Sequence, residues 1–252
     1  MALDADKISS MFLEESTALA ITLSDAQKLA RGLYGLTATA TELPGEYDCN
    51  FQLRGSDGQE FVLKCMHPAR ESAFIDMQCA GLEHLAIHAT HLSLPRVQRS
   101  TEGQAYTLWN DAVGQARLVW MLGFLPGKTL VNTKPHSPEL FHEVGKFLGE
   151  MDRALASFEH PAARRELKWD SSRAGWIRNH VEKIADPQRQ ALVGYFISQF
   201  PQWIEPVQDL LRKSVIYGDG NDHNVLIGET WPRPRIAGVI DFGDMHHGWI
   251  VS

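Results

Sequence analysis

The sequence predicts an α+β protein built from two lobes, and three features of the chain lead to that prediction. Between residues 36 and 124, strand-like stretches are separated by Gly/Asp turn signals, which is typical of a small antiparallel sheet. From residue 137 to 213, apolar residues recur at helical spacing. The stretch "FLPGKTLVN", residues 124–132, interrupts the strand pattern with a Pro-Gly pair. We therefore expect an N-terminal lobe over residues 1–124 and a helical C-terminal lobe over residues 125–252.

The N-terminal lobe is predicted to begin with a helical extension over residues 1–35, formed by two helices. The second of these has Ser24 as its N-cap, with Gln27 in the capping-box position, and ends at Gly35. Strands follow, with "GSDG" as a hairpin turn. One internal helix is predicted over "RESAFIDMQCAGLEHLAIHA", and two more strands over "AYTLWN" and "ARLVWMLGF".

The C-terminal lobe is predicted to begin with a long helix. Ser137 is a good N-cap, and Pro138 occupies the first helical position. Apolar residues also recur at helical spacing around "WIRNHVEKIA" and "ALVGYFISQFPQWIEPVQDLL". Pro201 and Pro206 are expected to break or kink the second of these stretches.

Composition and charge exclude several classes of protein. The chain has 252 residues, 44% of them hydrophobic and 22% charged, which is ordinary for a globular protein. A net charge of −7 argues against a nucleic-acid partner, which calls for a basic face, and fits a cationic small substrate. No apolar run approaches the roughly 20 residues of a membrane span, and the N-terminus carries acids where a signal peptide carries bases. The three cysteines lack CxxC spacing, so we expect free thiols and a cytoplasmic protein: Cys49, Cys65 and Cys79.

Two polar loops are the strongest functional signal in the sequence. The first, residues 217–224, lies in "VIYGDGNDHNVLIGE", and the second, residues 241–245, lies in "IAGVIDFGDMHH". Apolar residues flank both loops and would hold them rigidly. Asp219, Asn224 and Asp241 offer hard oxygen atoms, the ligands that Mg²⁺ prefers. Asp and Asn are common in turns, so either loop alone is equally well an ordinary turn. The pair at this spacing favours one ion-binding site.

The spacing of these loops resembles that of kinases, in which D-x-x-x-x-N is followed by D-F-G. The chain resembles the aminoglycoside phosphotransferase and choline kinase branch of the kinase-like fold through "YGDGNDHN", "GVIDFGD", "FVLKCMHP" and "VWMLGFLPG". "GEYDCNF" and "AGVIDFGDM" are most similar to the hydroxylysine kinase group, which includes bacterial proteins with a following aminotransferase. The resemblance implies a bilobal protein-kinase-like fold.

The implied activity is the ATP-dependent, Mg²⁺-dependent transfer of a phosphoryl group to a small-molecule hydroxyl acceptor, such as an amino-alcohol or a hydroxylated amino acid. Two alternatives stay open. One is a non-catalytic module that binds nucleotide and regulates a fused or partner aminotransferase. The other is a metal-dependent phosphohydrolase, which also uses Asp/Asn clusters but needs no lysine on a strand.

The resemblance assigns a role to each polar residue. Asp219 would act on the proton of the attacking hydroxyl. Asn224 and Asp241 would hold Mg²⁺ against the phosphates of the nucleotide. Lys64, between apolar neighbours on a predicted strand, would pair with phosphate, because an unpaired interior lysine is costly. The alternative for Lys64 is a surface position on an edge strand.

An acid from the following helix should orient Lys64, and two residues qualify. Asp76 and Glu83 are seven residues apart and so share one helical face. Similarity to the hydroxylysine kinase group favours Asp76, whereas protein-kinase spacing is nearer to Glu83.

Two backbone segments are expected to bind the nucleotide. The loop in "LPGEYDCNF" would place N–H groups against phosphate oxygens, although an ordinary hairpin loop explains it equally well. The segment near Met121 to Phe124, at the end of the last predicted N-terminal strand and called the hinge here, would bind the adenine through its backbone groups. The residues concerned are Gly45, Glu46, Tyr47 and Asp48 in the loop, and Met121, Leu122 and Phe124 in the hinge.

The sequence departs from the family pattern in three places. Tyr217 stands where the family usually has His, a position that supports the loop. Three histidines near the polar loops suggest a metal site, but no third ligand stands at metal-binding spacing from them, so they are interpreted as loop residues: His223, His246 and His247.

The third departure is that the chain ends eleven residues after Asp241, whereas members of the family continue into further helices. We therefore expect an incomplete C-terminal lobe with weak turnover. Its uncovered apolar residues would lead to self-association or a poorly ordered end: Met245, Trp249, Ile250 and Val251.

Overall fold

The computed structural model describes residues 21–228 and 235–251, and the first predicted helix of the N-terminal extension lies outside these ranges. The N-terminal lobe is an antiparallel sheet of six strands with the order β1-β2-β3-β6, where β4 and β5 both pair with the free edge of β6. The strands are β1 (Ala38–Leu43), β2 (Cys49–Gly55), β3 (Glu60–Cys65), β4 (Val97–Gln98), β5 (Tyr106–Asn110) and β6 (Ala116–Gly123). Helices α1 (Leu23–Tyr34) and α2 (Ser72–His88) complete this lobe.

The C-terminal lobe combines two helices with two small sheets. The helices are α3 (Pro138–Leu155) and α4 (Pro187–Trp203), and 3-10 turns cover Leu130–Asn132, Pro161–Arg164, Ser171–Lys183 and Gln208–Leu210. The strands are β7 (Lys128–Thr129), β8 (Lys213–Ile216), β9 (Val225–Gly228), β10 (Arg235–Val239) and β11 (His246–Trp249). Strand β9 lies between β10 and β7, and β11 pairs with β8, so that both polar loops begin at strand ends.

The predicted caps are confirmed at one helix and corrected at another. Ser137 caps α3 through its side chain, which accepts from the N–H of Leu140 at 3.2 Å. Helix α1 begins two residues earlier than predicted: Thr22, not Ser24, is the N-cap, and the carboxylate of Asp25 completes the capping box. Gly35 ends α1 in the left-handed conformation as expected, at a φ of 65°.

Pro201 does not break α4, and a kink at this position stays a prediction. It lies inside the helix, which continues to Trp203, and Pro206 follows the helix end. None of the helices in the described part of the chain combines the length and hydropathy that a membrane crossing requires. All three cysteines are free thiols.

The two faces of the N-terminal sheet pack against different partners. Leu63, Cys65 and Val119 are buried with α1 on the outer face. Because successive strand residues point to opposite faces, Lys64 lies on the inner face with Trp120, its partner in the register of β3 and β6. The Nζ of Lys64 lies 5.7 Å from the centroid of the Trp120 ring. Lys64 is thus on the same face as α2.

One hydrophobic core continues from the inner face of this sheet into the C-terminal lobe. It includes Leu82 of α2, Met151 of α3 and Phe242 of the second polar loop. The lobes therefore share a core, and the polar loops pack directly on its surface.

The prediction of an uncovered C-terminal segment is wrong for two of its four residues. Met245 is fully buried and Trp249 is 4% exposed, because β11 pairs with β8 and brings both side chains inward. Met245 fills the space over Gly81 of α2, where an added Cβ would lie 2.6 Å from its Cε. Ile250 is half-buried, and Val251 is exposed. Four large exposed apolar side chains lie on α4: Leu192, Tyr195, Phe196 and Trp203.

Candidate active site

The first polar loop leaves β8 through a turn that requires glycine. Gly218 has a φ of 78°, and a Cβ there would lie 2.7 Å from the carbonyl oxygen of Asp244. The backbone therefore passes directly against the second polar loop before it reaches Asp219. This close approach brings the two loops together.

The Asp219 carboxylate is fixed by two amides of its own loop. Asn221 donates from Nδ2 to Oδ1 of Asp219 at 2.5 Å, and Asn224 donates from Nδ2 to Oδ2 at 2.6 Å. Burial raises the pKa of Asp219 to about 6; these hydrogen bonds oppose the rise, and the Asp244 and Asp241 carboxylates add to it. The group is ionised at neutral pH and has a pKa close to that of an effective proton acceptor.

Tyr217 joins the two polar loops, and this explains its presence where the family usually has His. Its hydroxyl donates to the carbonyl of Ile240, the residue before Asp241, and its ring contacts Phe242 edge-on at 5.1 Å between centroids. Its own N–H donates to the Asp152 carboxylate of α3 at 3.2 Å. Tyr217 therefore supports both loops, as the sequence predicted for this position.

Asp241 lies in a strained turn. Its φ of 60° makes it the one non-glycine residue with positive φ in the described part of the chain. Its Oδ1 accepts from the N–H of Gly243 at 3.0 Å. Because Val225 of β9 pairs with Val239 of β10, and Ile240 donates to the carbonyl of Asn224 at 2.9 Å, the two predicted metal ligands lie at neighbouring strand ends.

The oxygen atoms at this position fit a hard divalent cation. Since the amide nitrogen of Asn224 is used on Asp219, its amide oxygen is the atom that a cation would bind. In the described residues, no group of three His, Cys, Asp or Glu side chains could hold a metal by itself. A cation bound to Asn224 and Asp241 would therefore need phosphate or water oxygens as further ligands, which is usual for Mg²⁺.

The structure does not bring Lys64 together with either candidate acid. Asp76 pairs with His160 at 3.2 Å, and Glu83 pairs with Arg99. No ion pair within 4.0 Å joins Lys64 to Asp76 or Glu83 among residues 21–228 and 235–251. Pairing of Lys64 with Asp76 stays a prediction.

The predicted phosphate loop depends on Gly45 and is anchored by a side chain. A Cβ at Gly45 would lie 2.2 Å from the carbonyl oxygen of Asp48, so only glycine fits. The Asp48 carboxylate accepts from the N–H of His67 at 2.7 Å and pairs with Arg70 at 3.3 Å. The loop is thereby bound to the segment after β3. Phosphate binding by the N–H groups of Glu46, Tyr47 and Asp48 stays a prediction.

Part of the predicted hinge is already hydrogen-bonded. The N–H of Gly123 donates to the backbone carbonyl of Arg96 at 2.8 Å, and the N–H of Phe124 donates to the backbone carbonyl of Glu60 at 3.1 Å. Met121 packs against α1, whereas Leu122 belongs to the core shared by the lobes. An adenine at the hinge would thus use groups other than the Phe124 N–H.

Comparison with known proteins assigns the chain to a family. The model of the phosphotransferase enzyme family matches residues 39–252. The chain belongs to this phosphotransferase family. It is 30% identical over 239 residues to a hydroxylysine kinase of Danio rerio, covering 90% of this chain and 66% of the relative. A hydroxylysine kinase of Xenopus laevis is 25% identical, with 92% and 67% covered. The chain thus spans about two thirds of the length of these curated relatives.

Solved structures confirm the predicted kinase-like fold. A microcompartment-associated aminopropanol kinase matches with a TM-score of 0.65 at 18% identity, covering 90% of this chain and 71% of that one. The amicoumacin kinase hAmiN, in complex with AMP-PNP, Ca²⁺ and Ami, matches with a TM-score of 0.61 at 16% identity, covering 98% and 69%. At such low sequence identities, the similarity shows a shared fold alone.

Two residues that support the polar loops were not predicted. Asp152 follows the buried Met151 on α3 and accepts from the N–H of Tyr217. An acidic residue next to the apolar positions of this helix was the sequence signal that could have indicated a buried contact. Arg165 donates to the carbonyls of Gly243 and Met245, although "RRELK" resembles an ordinary charged surface stretch. No local pattern indicated this contact.

Proposed function

We propose that this protein transfers the γ-phosphoryl group of ATP to the hydroxyl of a small molecule bearing an amine, an amino-alcohol or a hydroxylated amino acid. The observation that carries the proposal is the Asp219 carboxylate, oriented by Asn221 and Asn224 beside the strained Asp241 turn. Membership of the phosphotransferase family supports the reaction class. The division into a nucleotide-binding lobe over residues 1–124 and a catalytic lobe over residues 125–252 is part of the proposal.

In this reaction Asp219 takes the proton of the acceptor hydroxyl. The hydroxyl oxygen of the acceptor forms a bond to the γ-phosphorus, and the bond between that phosphorus and the leaving ADP oxygen breaks. Its pKa of about 6 leaves it ionised before the reaction and able to hold the proton afterwards. Asn224 and Asp241 would hold Mg²⁺, which supplies positive charge to the transferring phosphoryl group. Lys64, on the inner face of the sheet, would balance phosphate charge from the other lobe.

The names of relatives and the charge of the chain support the proposed acceptor class. Two relatives are named hydroxylysine kinase and one structural neighbour is named aminopropanol kinase, and both names denote a hydroxyl compound with an amine. The net charge of −7 suits a cationic acceptor. The thiol state of the cysteines supports a cytoplasmic location.

Two further expectations stay predictions. No contact of the described residues favours the module that regulates an aminotransferase, so catalysis is the function proposed here. Self-association through the C-terminal segment also stays a prediction. The burial of Met245 and Trp249 leaves it with less apolar surface than expected.

The proposal is tested by ADP formation from ATP and Mg²⁺ with a panel of acceptors: hydroxylysine, 1-amino-2-propanol, an aminoglycoside and an amine-free sugar. We expect turnover with the amine-bearing hydroxyl compounds. Asp219→Asn should lower it about 10²- to 10⁴-fold, the usual contribution of general-base catalysis, while Mg·ATP binding persists.

Asp222→Asn is the matched control, because Asp222 lies in the same loop with an exposed side chain. Equal rates for Asp219→Asn and Asp222→Asn would contradict the role of Asp219. Nucleotide binding without turnover of any acceptor would support the regulatory module instead.

A further inference from the structure

The second polar loop is held by an arginine from a distant part of the chain. Arg165, which follows the 3-10 turn Pro161–Arg164, donates from Nη2 to the carbonyl of Gly243 and to that of Met245, the latter at 3.2 Å. The N–H of the same Gly243 donates to the Asp241 carboxylate. Gly243 is therefore bound by Asp241 through its N–H and by Arg165 through its carbonyl.

The position of Gly243 determines the orientation of Asp241. The Asp241 side chain has Gly243 as its hydrogen-bond partner, and its backbone adopts a left-handed φ of 60° that few residues tolerate. Such strain persists only where surrounding contacts hold it. The hydrogen bonds from Arg165 to the carbonyls of Gly243 and Met245 are contacts of this kind.

Arg165 is also part of a stack that reaches the phosphate loop. Its guanidinium carbon lies 5.0 Å from the centroid of the Phe74 ring at the start of α2, and that of Arg70 lies 4.7 Å from the same ring. Both distances suit a cation–π contact. Arg70 in turn pairs with Asp48. A continuous series of contacts thus runs from the phosphate loop to the second polar loop.

The electrostatics show that this arrangement has a cost. The two guanidinium groups repel each other, and burial lowers the pKa of Arg165. The Asp244 carboxylate opposes that shift and partly compensates the buried charge. The Nε atoms of Arg70 and Arg165 are buried without a hydrogen-bond partner among the described residues. Buried charges of this kind are weak evidence for a contribution to stability, and a role in positioning the turn is the alternative.

We propose that Arg165 is a positioning residue for Asp241, fixing the Gly243 peptide and hence the turn that presents the carboxylate to Mg²⁺. The Arg70–Phe74–Arg165 stack links this turn to the phosphate loop, so that metal and nucleotide bind cooperatively. The inference rests on the proposed function and deepens it, because it assigns the control of metal affinity to a residue that touches neither metal nor substrate.

The test compares Arg165→Met and Arg165→Lys with Arg164→Met, an exposed neighbour that serves as the matched control. Binding of a fluorescent ATP analogue to the full chain is titrated with Mg²⁺, and again in its absence. Loss of a residue that orients a metal ligand typically costs 10- to 100-fold in metal affinity. We expect Arg165→Met to raise the half-saturating Mg²⁺ concentration by about that factor, while metal-free nucleotide binding changes less than about twofold.

Arg165→Lys keeps the charge and packing and should fold even if Arg165→Met does not. It should shift the Mg²⁺ requirement in the same direction but less, because one ammonium group replaces a planar guanidinium. Phe74→Leu should reduce the gain in nucleotide affinity that Mg²⁺ produces.

Two results would overturn the inference. The first is a Mg²⁺ requirement of the Arg165 variants within twofold of that of Arg164→Met, even if their melting temperature falls, since the role would then be structural. The second is a wild-type chain that binds no Mg·ATP, which would overturn the proposed function and this inference with it.

Discussion

The two lobes contribute to the candidate site in different ways. In the C-terminal lobe, the side chain of Asn224 donates a hydrogen bond to Asp219. The N–H of Ile240, the residue before Asp241, donates to the backbone carbonyl of the same Asn224. In the N-terminal lobe, Lys64 has no acidic partner within ion-pair distance among the described residues, and both candidate acids bind other groups. The predicted catalytic and metal-binding residues are held together by the chain's own hydrogen bonds, whereas Lys64 and its predicted acidic partner are not brought together.

The difference follows from how each half is connected. Asp219, Asn224 and Asp241 lie within 23 residues of the chain. The register of the paired strands β9 and β10 places Asn224 near Asp241, and the hydrogen bond from Asn224 holds Asp219 of the same loop. Pairing of Lys64 with Asp76 would instead depend on the position of α2 against the sheet. Helix α2 is bound to the C-terminal lobe: Asp76 contacts His160, and His84 contacts the carbonyl of Ala154 at 2.9 Å.

The largest effect expected from this comparison concerns the acid that is predicted to orient Lys64. Asp76→Asn should lower phosphoryl transfer about tenfold, because loss of one charge-assisted contact of this kind costs roughly 1.5 kcal/mol, whereas Glu83→Gln should change it less than twofold. The measurement is kcat/KM for ATP.

His160→Leu is the control for this prediction, because it removes the present partner of Asp76 and keeps the carboxylate. If His160→Leu reproduced the loss, Asp76 would act by holding α2 to the other lobe. A larger loss in Glu83→Gln than in Asp76→Asn would assign the role to Glu83.

Much of the fold could be predicted from the sequence, because its signals are local. Turn-forming residues such as the Gly, Asp and Asn of the polar loops influence the backbone of their immediate sequence neighbours. The Ser137 cap likewise acts on residues that are close in sequence. The α1 cap was misplaced because Thr22 and Asp25 satisfy the same capping pattern two residues earlier. The C-terminal segment was mispredicted because "HHGW" has no strong strand pattern, and its pairing with β8 is a tertiary interaction. The contacts of Asp152 and Arg165 are equally non-local.

A smaller effect concerns the carboxylate beneath the first polar loop. Burial raises the pKa of Asp152, and the hydrogen bond from the Tyr217 N–H opposes the rise. The unfolded chain therefore loses this proton at lower pH than the folded protein. The free energy of unfolding therefore falls as the pH rises from the pKa of Asp152 in the unfolded chain through its pKa in the folded protein. Above both pKa values the whole destabilisation by the ionised carboxylate is present.

Asp152→Asn keeps an oxygen acceptor for Tyr217 and removes the charge. Its melting temperature should exceed that of the wild type more at pH 8 than at pH 4. The gain is on the order of 1 kcal/mol, or roughly 2 to 4 °C, since the side chain is partly exposed and solvent screens it. Asp209→Asn, at an exposed position, should show no such pH dependence. A gain that is the same at both pH values would contradict the assigned cause.

The central claim is that Asp241, with Asn224, binds a Mg²⁺ ion that carries the nucleotide, and thermal unfolding tests it most directly. A ligand at 100 times its dissociation constant stabilises a protein by about 2.7 kcal/mol, which is roughly 5 to 10 °C for a chain of this size. We expect ATP with Mg²⁺ to raise the melting temperature of the wild type by that amount, and ATP with a chelator to raise it less. Asp241→Asn should lose the Mg²⁺-dependent part of the shift, and Asp222→Asn should keep it. A full Mg²⁺-dependent shift in Asp241→Asn would contradict the claim.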